Sequence, residues 1–272
     1  RKYNTLATAE AALPATATTP LVINILGTWG SDDTALVTIA GTTTTPTNYI
    51  HIRTIGEARH NGTWSSSAYR LARAGKIIVV QNANVKISGI QTYCTSSSTS
   101  SSGVEVYTAG NSSNTITVED CILRGASSSW SGTPYGNAFD IWGNAGIGTS
   151  TVNIVINNCI MYDWQHATHL DRGAGVYVGN TTNARYNVTI NNCTVVNARC
   201  AYYHEAGAYS TMVVKNCIAQ TTVDGFFTAT SGTNNISDIA SDAPGSNPVT
   251  GTVQFVNAGA DDFHLAAGDT VA

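Results

Sequence analysis

Apolar and polar residues alternate through four short segments of nearly identical shape: ITVEDCI (116–122), IVINNCI (154–160), VTINNCT (188–194) and MVVKNCI (212–218). Alternation of period two is the pattern of a strand with one buried face. In each segment an Asn or Asp precedes a Cys, and VKISGIQ (85–91) repeats the shape with Ile90 in the cysteine slot. The intervals between the signature cysteines are 38 (121 to 159), 34 (159 to 193) and 24 (193 to 217) residues. A strand-like unit recurring at uneven spacing predicts a stacked solenoid whose loops vary while its core stays constant.

Around this repeat the same alternation predicts strands at LVINIL (21–26), ALVTIAG (35–41), YIHIRTI (49–55), YRLAR (69–73) and KIIVV (76–80). From about residue 76 the pattern reads as a two-strand rung. One strand ends in the Asn-Cys signature, and a shorter one follows in VEVYT (104–108), FDIWG (139–143), VYVG (176–179), AYYHE (201–205) and GFFTA (225–229). Residues 4–14 predict a short helix: Leu6, Ala9 and Leu13 share a face, Asn4 or Thr5 caps it, and Pro14 ends it. Such a helix would cover the open end of the solenoid core. Thr42–Thr47 and Ser96–Ser102 read as low-complexity loops.

Composition agrees with this picture. Of 272 residues only 11% are charged, and the Thr, Ser, Asn and Gly that take their place suit strands joined by many turns. The net charge is −4, and without a Lys/Arg cluster nucleic-acid binding has little electrostatic support. No apolar run approaches the roughly 20 residues of a membrane span. The chain starts at Arg1 and reads as processed or as a piece of a longer one. Low lysine content and the sequons at Asn61, Asn111, Asn180, Asn187, Asn192 and Asn235 point to an extracellular, cell-surface or virion location. Asn192 is expected at an inner turn without room for a glycan.

The closing segment FVNAGADDFHLAAGD (255–269), together with the repeats, resembles right-handed parallel β-helix proteins of the pectate-lyase-like superfamily, of the secreted or phage-associated type. The resemblance implies an all-β, single-stranded right-handed parallel β-helix over about 20–265, with an FVD…DFHL-type segment laying down the last strand. On this reading residues 1–20 form the N-terminal cap helix and lead-in, 21–240 the β-helix, and 241–272 the closing segment of the same domain. The superfamily contains lyases, hydrolases, adhesins and inert shafts, so fold alone does not fix function.

Stacked parallel rungs turn equivalent residues into columns about 4.8 Å apart. Cys121, Cys159, Cys193 and Cys217 are expected to form an inward column of packed free thiols; one or two disulfides are the alternative. Asp120, Asn158, Asn192 and Asn216 form the column before it, a structural ladder at a sharp turn. On the outward face the expected columns are Glu105, Asp140, Tyr177, Tyr202, Phe226 and, beside it, Tyr107, Trp142, Gly179, His204, Thr228. Rings stack on sugar faces and carboxylates bind hydroxyls, so this stripe suits an extended glycan unless a loop covers it. Trp130, Tyr135 and Trp164 are expected to wall the groove. The loop carrying Asp163, His166, His169, Asp171 and Arg172 holds the densest chemistry, with Arg199, His204 and Glu205 one rung later.

These residues set the functional expectation: an extracellular or virion-surface β-helix engaging polysaccharide or cell-surface glycan, with glycan cleavage within reach. Catalysis would fall to Asp140, His169, Asp171 and Glu205. Substrate contacts would fall to Glu105, Tyr107, Trp142, Trp164, Tyr177, Arg172, Tyr202 and His204. Glu105 and Asp140 start near the roughly 5–5.5 Å of a retaining pair, whereas Asp140 and Glu205 stand about 10 Å apart, nearer the inverting limit. Lyase chemistry would need several calcium-binding aspartates and a basic proton abstractor that the sequence lacks. No cofactor is expected; a bound calcium ion is compatible but not indicated. The competing expectation is a non-catalytic structural, fibre-forming or adhesive surface protein that self-associates.

Overall fold

The computed structural model describes residues 2–107, 114–126, 135–142, 151–179, 185–205, 210–229 and 231–272. Among these, the strands assemble into two eight-stranded sheets and one seven-stranded sheet, with a two-stranded hairpin at the C-terminal end. All pairs within the three long sheets are parallel, each strand bonding to its equivalent on the next rung. The chain is a parallel β-helix.

Each full rung has three strands rather than the two expected. The first sheet holds the signature strands, among them Asn114–Glu119, Thr151–Asn157, Arg185–Asn191 and Thr211–Lys215. A three-residue strand follows each cysteine (Ile122–Arg124, Ile160–Tyr162, Thr194–Val196, Ile218–Gln220) and builds the second sheet. Three residues are too few to show a period in sequence. The third sheet contains Lys76–Val80, Ser101–Val106, Gly136–Ile141, Ala174–Val178, Cys200–His204 and Asp224–Phe227.

The core is a set of apolar columns. Val85, Ile116, Ile154, Val188 and Met212 are register partners on successive rungs, and all are buried. Burying each such side chain contributes about 1.5–3 kcal/mol. At the N-terminal end a helix spans Leu6–Glu10; the Thr5 side chain accepts from Thr8 N–H, and Leu6 and Ala9 face the core. The cap is tied down by Asp33, which accepts from the Leu6 N–H at 2.8 Å and from the Tyr69 hydroxyl at 2.8 Å.

Between the first and second sheets each rung makes a sharp turn in left-handed backbone conformation, with φ of 54° at Asp120, 51° at Asn158, 53° at Asn192 and 53° at Asn216. Asn and Asp tolerate this geometry better than other non-glycine residues. Their side chains bond from rung to rung: Asn158 to Asp120 at 2.7 Å, Asn216 to Asn192 at 3.2 Å, Asn234 to Asn216 at 3.1 Å. Asn192 breaks the series by donating to Asn157 at 3.4 Å. Contrary to expectation, Asn192 is exposed, whereas the sequon residue Asn235 is fully buried.

The next column is Ile90, Cys121, Cys159, Cys193, Cys217 and Asn235, as the flanking register shows. All six cysteines of the chain are free thiols, including the off-column Cys94 and Cys200. Packing is only part of the column's work. The Cys159 N–H donates to Cys193 Sγ at 3.4 Å and the Cys193 N–H to Cys217 Sγ at 3.4 Å. In the last step the Cys217 N–H donates to Asn235 Oδ1 at 3.1 Å. The Cys193 and Cys217 sulfurs therefore each satisfy a turn amide that would otherwise be orphaned.

The closing segment departs from the sequence reading. Asp262–Leu265 does not extend a parallel sheet; it pairs antiparallel with Phe255–Asn257. This hairpin lies against the outer side of the second sheet, where Phe263 and Phe255 cover Ile122, Ile160, Tyr162 and Val196. Thr63 bridges to Asp262, and Arg124 pairs with Asp261 at 3.2 Å. Outward apolar residues on three rungs explain why the segment folds back rather than onward.

Candidate functional site

The third sheet fixes which side chains share a face. Ile78, Val104, Phe139, Val176, Tyr202 and Phe226 form one register column, and the next position gives Val79, Glu105, Asp140, Tyr177, Tyr203 and Phe227. The first column is core. Tyr202 is fully buried, stacked on Phe226 at 4.9 Å, its hydroxyl donating to Cys193 O at 3.1 Å. The expected outward placement of Tyr202 and Phe226 is therefore corrected by one residue, to Tyr203 and Phe227. His204 shifts with them: it is 5% exposed, in register with Val178, with ring contacts to Thr228 O and Ser210. Glu205 takes the outward position beside Gly179.

Glu105, Asp140, Lys76, Ser100, Tyr135, Trp142, Tyr177 and Gly179 line a cleft of about 420 Å³. Glu105 points out of the solenoid but is 2% exposed. One of its oxygens accepts from Lys76 Nζ at 2.8 Å, and the other has no hydrogen-bond partner. A charge this enclosed depends on its partner, because desolvation costs more than a surface pair returns. On the next strand lies Asp140, half-buried, its carboxyl pushed up to about 7. Burial is the main cause and the Glu105 charge the second; Lys76 and the Asn137 side chain pull the other way. The proton kept near neutral pH is therefore that of Asp140, beside the Glu105 charge one rung away.

Tyr177, one rung further, donates its hydroxyl to Glu205 Oε2 at 2.9 Å. Burial chiefly, then Glu205, hold the phenol well above its usual range. At Gly179 an added Cβ would press on the Tyr177 ring; its absence leaves the space between Trp142 and Glu205 open. Tyr107 and Trp142 sit 4.9 Å apart, and Lys76 Nζ lies 5.7 Å from the Trp142 ring. The opposite wall is Tyr135, with the Arg172 guanidinium 4.3 Å over its ring.

The remaining expected residues fall elsewhere. Trp164 does not wall the cleft: it is fully buried, and its indole N–H donates to Leu123 O at 3.0 Å. Asp163 belongs to a second turn ladder, with φ of 63° and a 2.7 Å bond from Asn197. His166 is 2% exposed and accepts the N–H groups of Thr168 and His169, pinning its own loop. Arg199 ties the same loop through the carbonyls of Ala167 and Thr168. His169 is exposed, 3.9 Å from Asp171, and outside the cleft lining. Asp171 contacts Arg172 at 3.9 Å, and its charge reaches Tyr177 and Tyr203. Trp130 lies outside the described residues.

The rings of the outward column also differ from the expected sugar platform. Tyr203 and Phe227 stack at 4.7 Å and 7° interplanar, and Tyr177 and Tyr203 at 5.5 Å and 24°. Their faces are turned to one another along the axis, so ring edges rather than faces point outward. Lys76 is the residue the sequence reading missed. Its only sequence signal was a lone base opening an apolar strand, and its reach to Glu105 exists only once rungs stack.

Among the described residues no three His, Cys, Asp or Glu side chains gather as a metal site, and no helix is long and apolar enough to cross a membrane. No protein-family model matches the chain. No curated protein matches it either.

Proposed function

We propose that the cleft of the third sheet binds a glycan on an extracellular or virion-surface β-helix, and that Asp140 and Glu105 act on a glycosidic bond held there. The observation that carries the reading is the carboxyl pair: Asp140 keeps its proton up to about pH 7, and Glu105 is ion-paired with Lys76 beside it. A protonated carboxyl next to an ion-paired carboxylate divides acid and nucleophile roles between two like groups. Adjacent rungs set the pair about 4.8 Å apart at the backbone, near the roughly 5–5.5 Å of retaining glycosidases. In this scheme Asp140 protonates the leaving oxygen, Glu105 attacks the anomeric carbon, and water then releases the sugar with Asp140 as base. Trp142 and Tyr135 supply apolar walls, and the Tyr177 hydroxyl and Lys76 supply polar contacts. The resemblance to the pectate-lyase-like superfamily supports a glycan as ligand. His169, exposed and outside the cleft lining, has no part in this scheme.

A second reading has its own observation. The Tyr177–Tyr203–Phe227 stack spends its ring faces on itself, as a stiff shaft or self-associating surface would. One experiment separates the two. The chain is incubated with a panel of neutral and acidic polysaccharides and assayed for new reducing ends and for unsaturated products. Reducing ends that vanish in Asp140→Asn and Glu105→Gln support the hydrolase. No product from any glycan, with concentration-dependent oligomers by light scattering, supports the shaft.

A further inference from the structure

Far from the cleft, the segment 60–63 carries the chain's single Asn-Gly step, Asn61–Gly62. Asparagine followed by glycine is chemically labile, because no Cβ obstructs attack of the glycine nitrogen on the asparagine side-chain carbonyl. Here two contacts sit on the two reacting groups. The Gly62 N–H, the nucleophile, donates to His60 Nδ1 at 3.1 Å. Asn61 Oδ1, where negative charge gathers in the transition state, accepts from the Thr63 N–H at 3.3 Å. A base on the nucleophile and a donor on the oxyanion position are the parts of an acyl-transfer site.

We propose that Asn61 is a self-modifying site, at which the side chain cyclises onto Gly62 with His60 as base and then opens to isoaspartate and aspartate. The Gly62 N–Asn61 Cγ bond forms as the side-chain amide C–N bond breaks. The proton leaving Gly62 N passes through His60 to the departing nitrogen, which leaves as ammonia. Water opens the succinimide at either carbonyl, and no electrons are transferred.

The surroundings favour this chemistry. His60 Nδ1 accepts the Gly62 N–H and so carries its lone pair toward the nucleophile; burial, which pushes the imidazole down to about 4, keeps it neutral at pH 7 while making it a weaker base than a free histidine. Asn61 is exposed, which leaves room for the tetrahedral centre and for water. Gly62 has φ of 98°, where a side chain would be strained, and an added Cβ would press on the His264 ring. By contrast, the Asp224–Gly225 step lies within a strand, where the sheet ladder fixes its backbone. The modification has a structural consequence. Isoaspartate adds a methylene to the main chain two residues before Thr63, the residue that bridges to Asp262 of the C-terminal hairpin. It also puts a carboxylate into a groove that already holds Asp120.

The test uses the full chain from a host without N-glycosylation, held folded at neutral pH and 37 °C. Peptide mass mapping follows loss of ammonia and regain of water at 60–63. The same chain in denaturant, His60→Gln and Asn61→Gln are run beside it. The folded chain is expected to convert about tenfold faster than His60→Gln and faster than the denatured chain, with Asn61→Gln inert. Conversion in the folded chain no faster than in denaturant overturns the proposal, as does an unchanged rate in a folded His60→Gln. The denatured comparison decides the matter even where the histidine variant does not fold.

Discussion

Glu105 and Asp140 are direct register partners on neighbouring parallel strands, the first 2% exposed and salt-bridged to Lys76, the second carrying a carboxyl raised to about 7. Like charges one rung apart in a covered site cannot both ionise cheaply. The pair therefore stores free energy whether or not a glycan enters.

That storage gives a pH signature. The folded chain keeps a proton on Asp140 that the unfolded chain releases near 3.8, so the native state binds more protons between there and about pH 7. Stability is expected to fall as pH rises through this window, by at most about 1.4 kcal/mol per unit, and to level off above. Asp140→Asn should flatten the dependence and raise stability at pH 8. Urea midpoints from pH 4 to 8 measure it; an unchanged slope in the variant would place the proton elsewhere.

Cys193 tests whether the thiol column does more than fill space. Cys193→Val keeps the apolar volume but leaves the buried Cys159 N–H without its acceptor, a loss of about 1–3 kcal/mol. Cys193→Ser retains an acceptor at the same position and should cost less. If valine proves the milder change, packing alone explains the column. Burial also pushes the Cys121, Cys159 and Cys193 thiols well up, so a thiol reagent should label them only as the chain unfolds.

At Asn192 two contributions can be separated. Asn192→Ala forces a Cβ residue without a local amide into φ of 53° and removes the bond from Asn216; the expected loss is about 1–2 kcal/mol. Asn192→Gly removes the bond but fits the backbone, and should lose less. Equal losses would show that the ladder bond, not the turn conformation, carries the effect. Thermal midpoints suffice to compare them.

Tyr202 and Tyr203 are adjacent in sequence and opposite in role. Tyr202→Ala empties a fully buried site and strands two carbonyl partners, for about 3–5 kcal/mol. Tyr203→Ala removes a half-buried ring stacked on Tyr177 and Phe227 and should cost no more than about 1.5 kcal/mol. Denaturation midpoints for the two variants should differ accordingly; similar losses would mean the register differs from that described.

Much of this architecture is legible in the chain. ITVEDCI and VTINNCT alternate apolar with polar residues, IVINNCI and MVVKNCI keep the same core positions with a valine on the outer face, and that face assignment held. The Asn-Cys turn was equally plain, since the left-handed position restricts residue choice. The second sheet was not, because its strands are three residues long. AYYHE was read one residue out of step: both tyrosines can fill a core, so no local preference chooses between them. Trp164 and His166 looked like site residues because aromatic and titratable side chains attract attention, yet both were absorbed by the fold.

Periodicity and turn chemistry are properties of neighbouring residues, so the sequence by itself determined a parallel solenoid, its thiol and amide columns, and the pairing of Glu105 with Asp140. Contacts between distant residues that no repeat marks were decided by tertiary structure. Stacking brought Lys76 onto Glu105, turned Tyr203 rather than Tyr202 outward, and laid the DFHL strand along the flank. The reason is physical: a column exists only when rungs are in register, and register is fixed by the burial of whole faces, not by any single residue's preference.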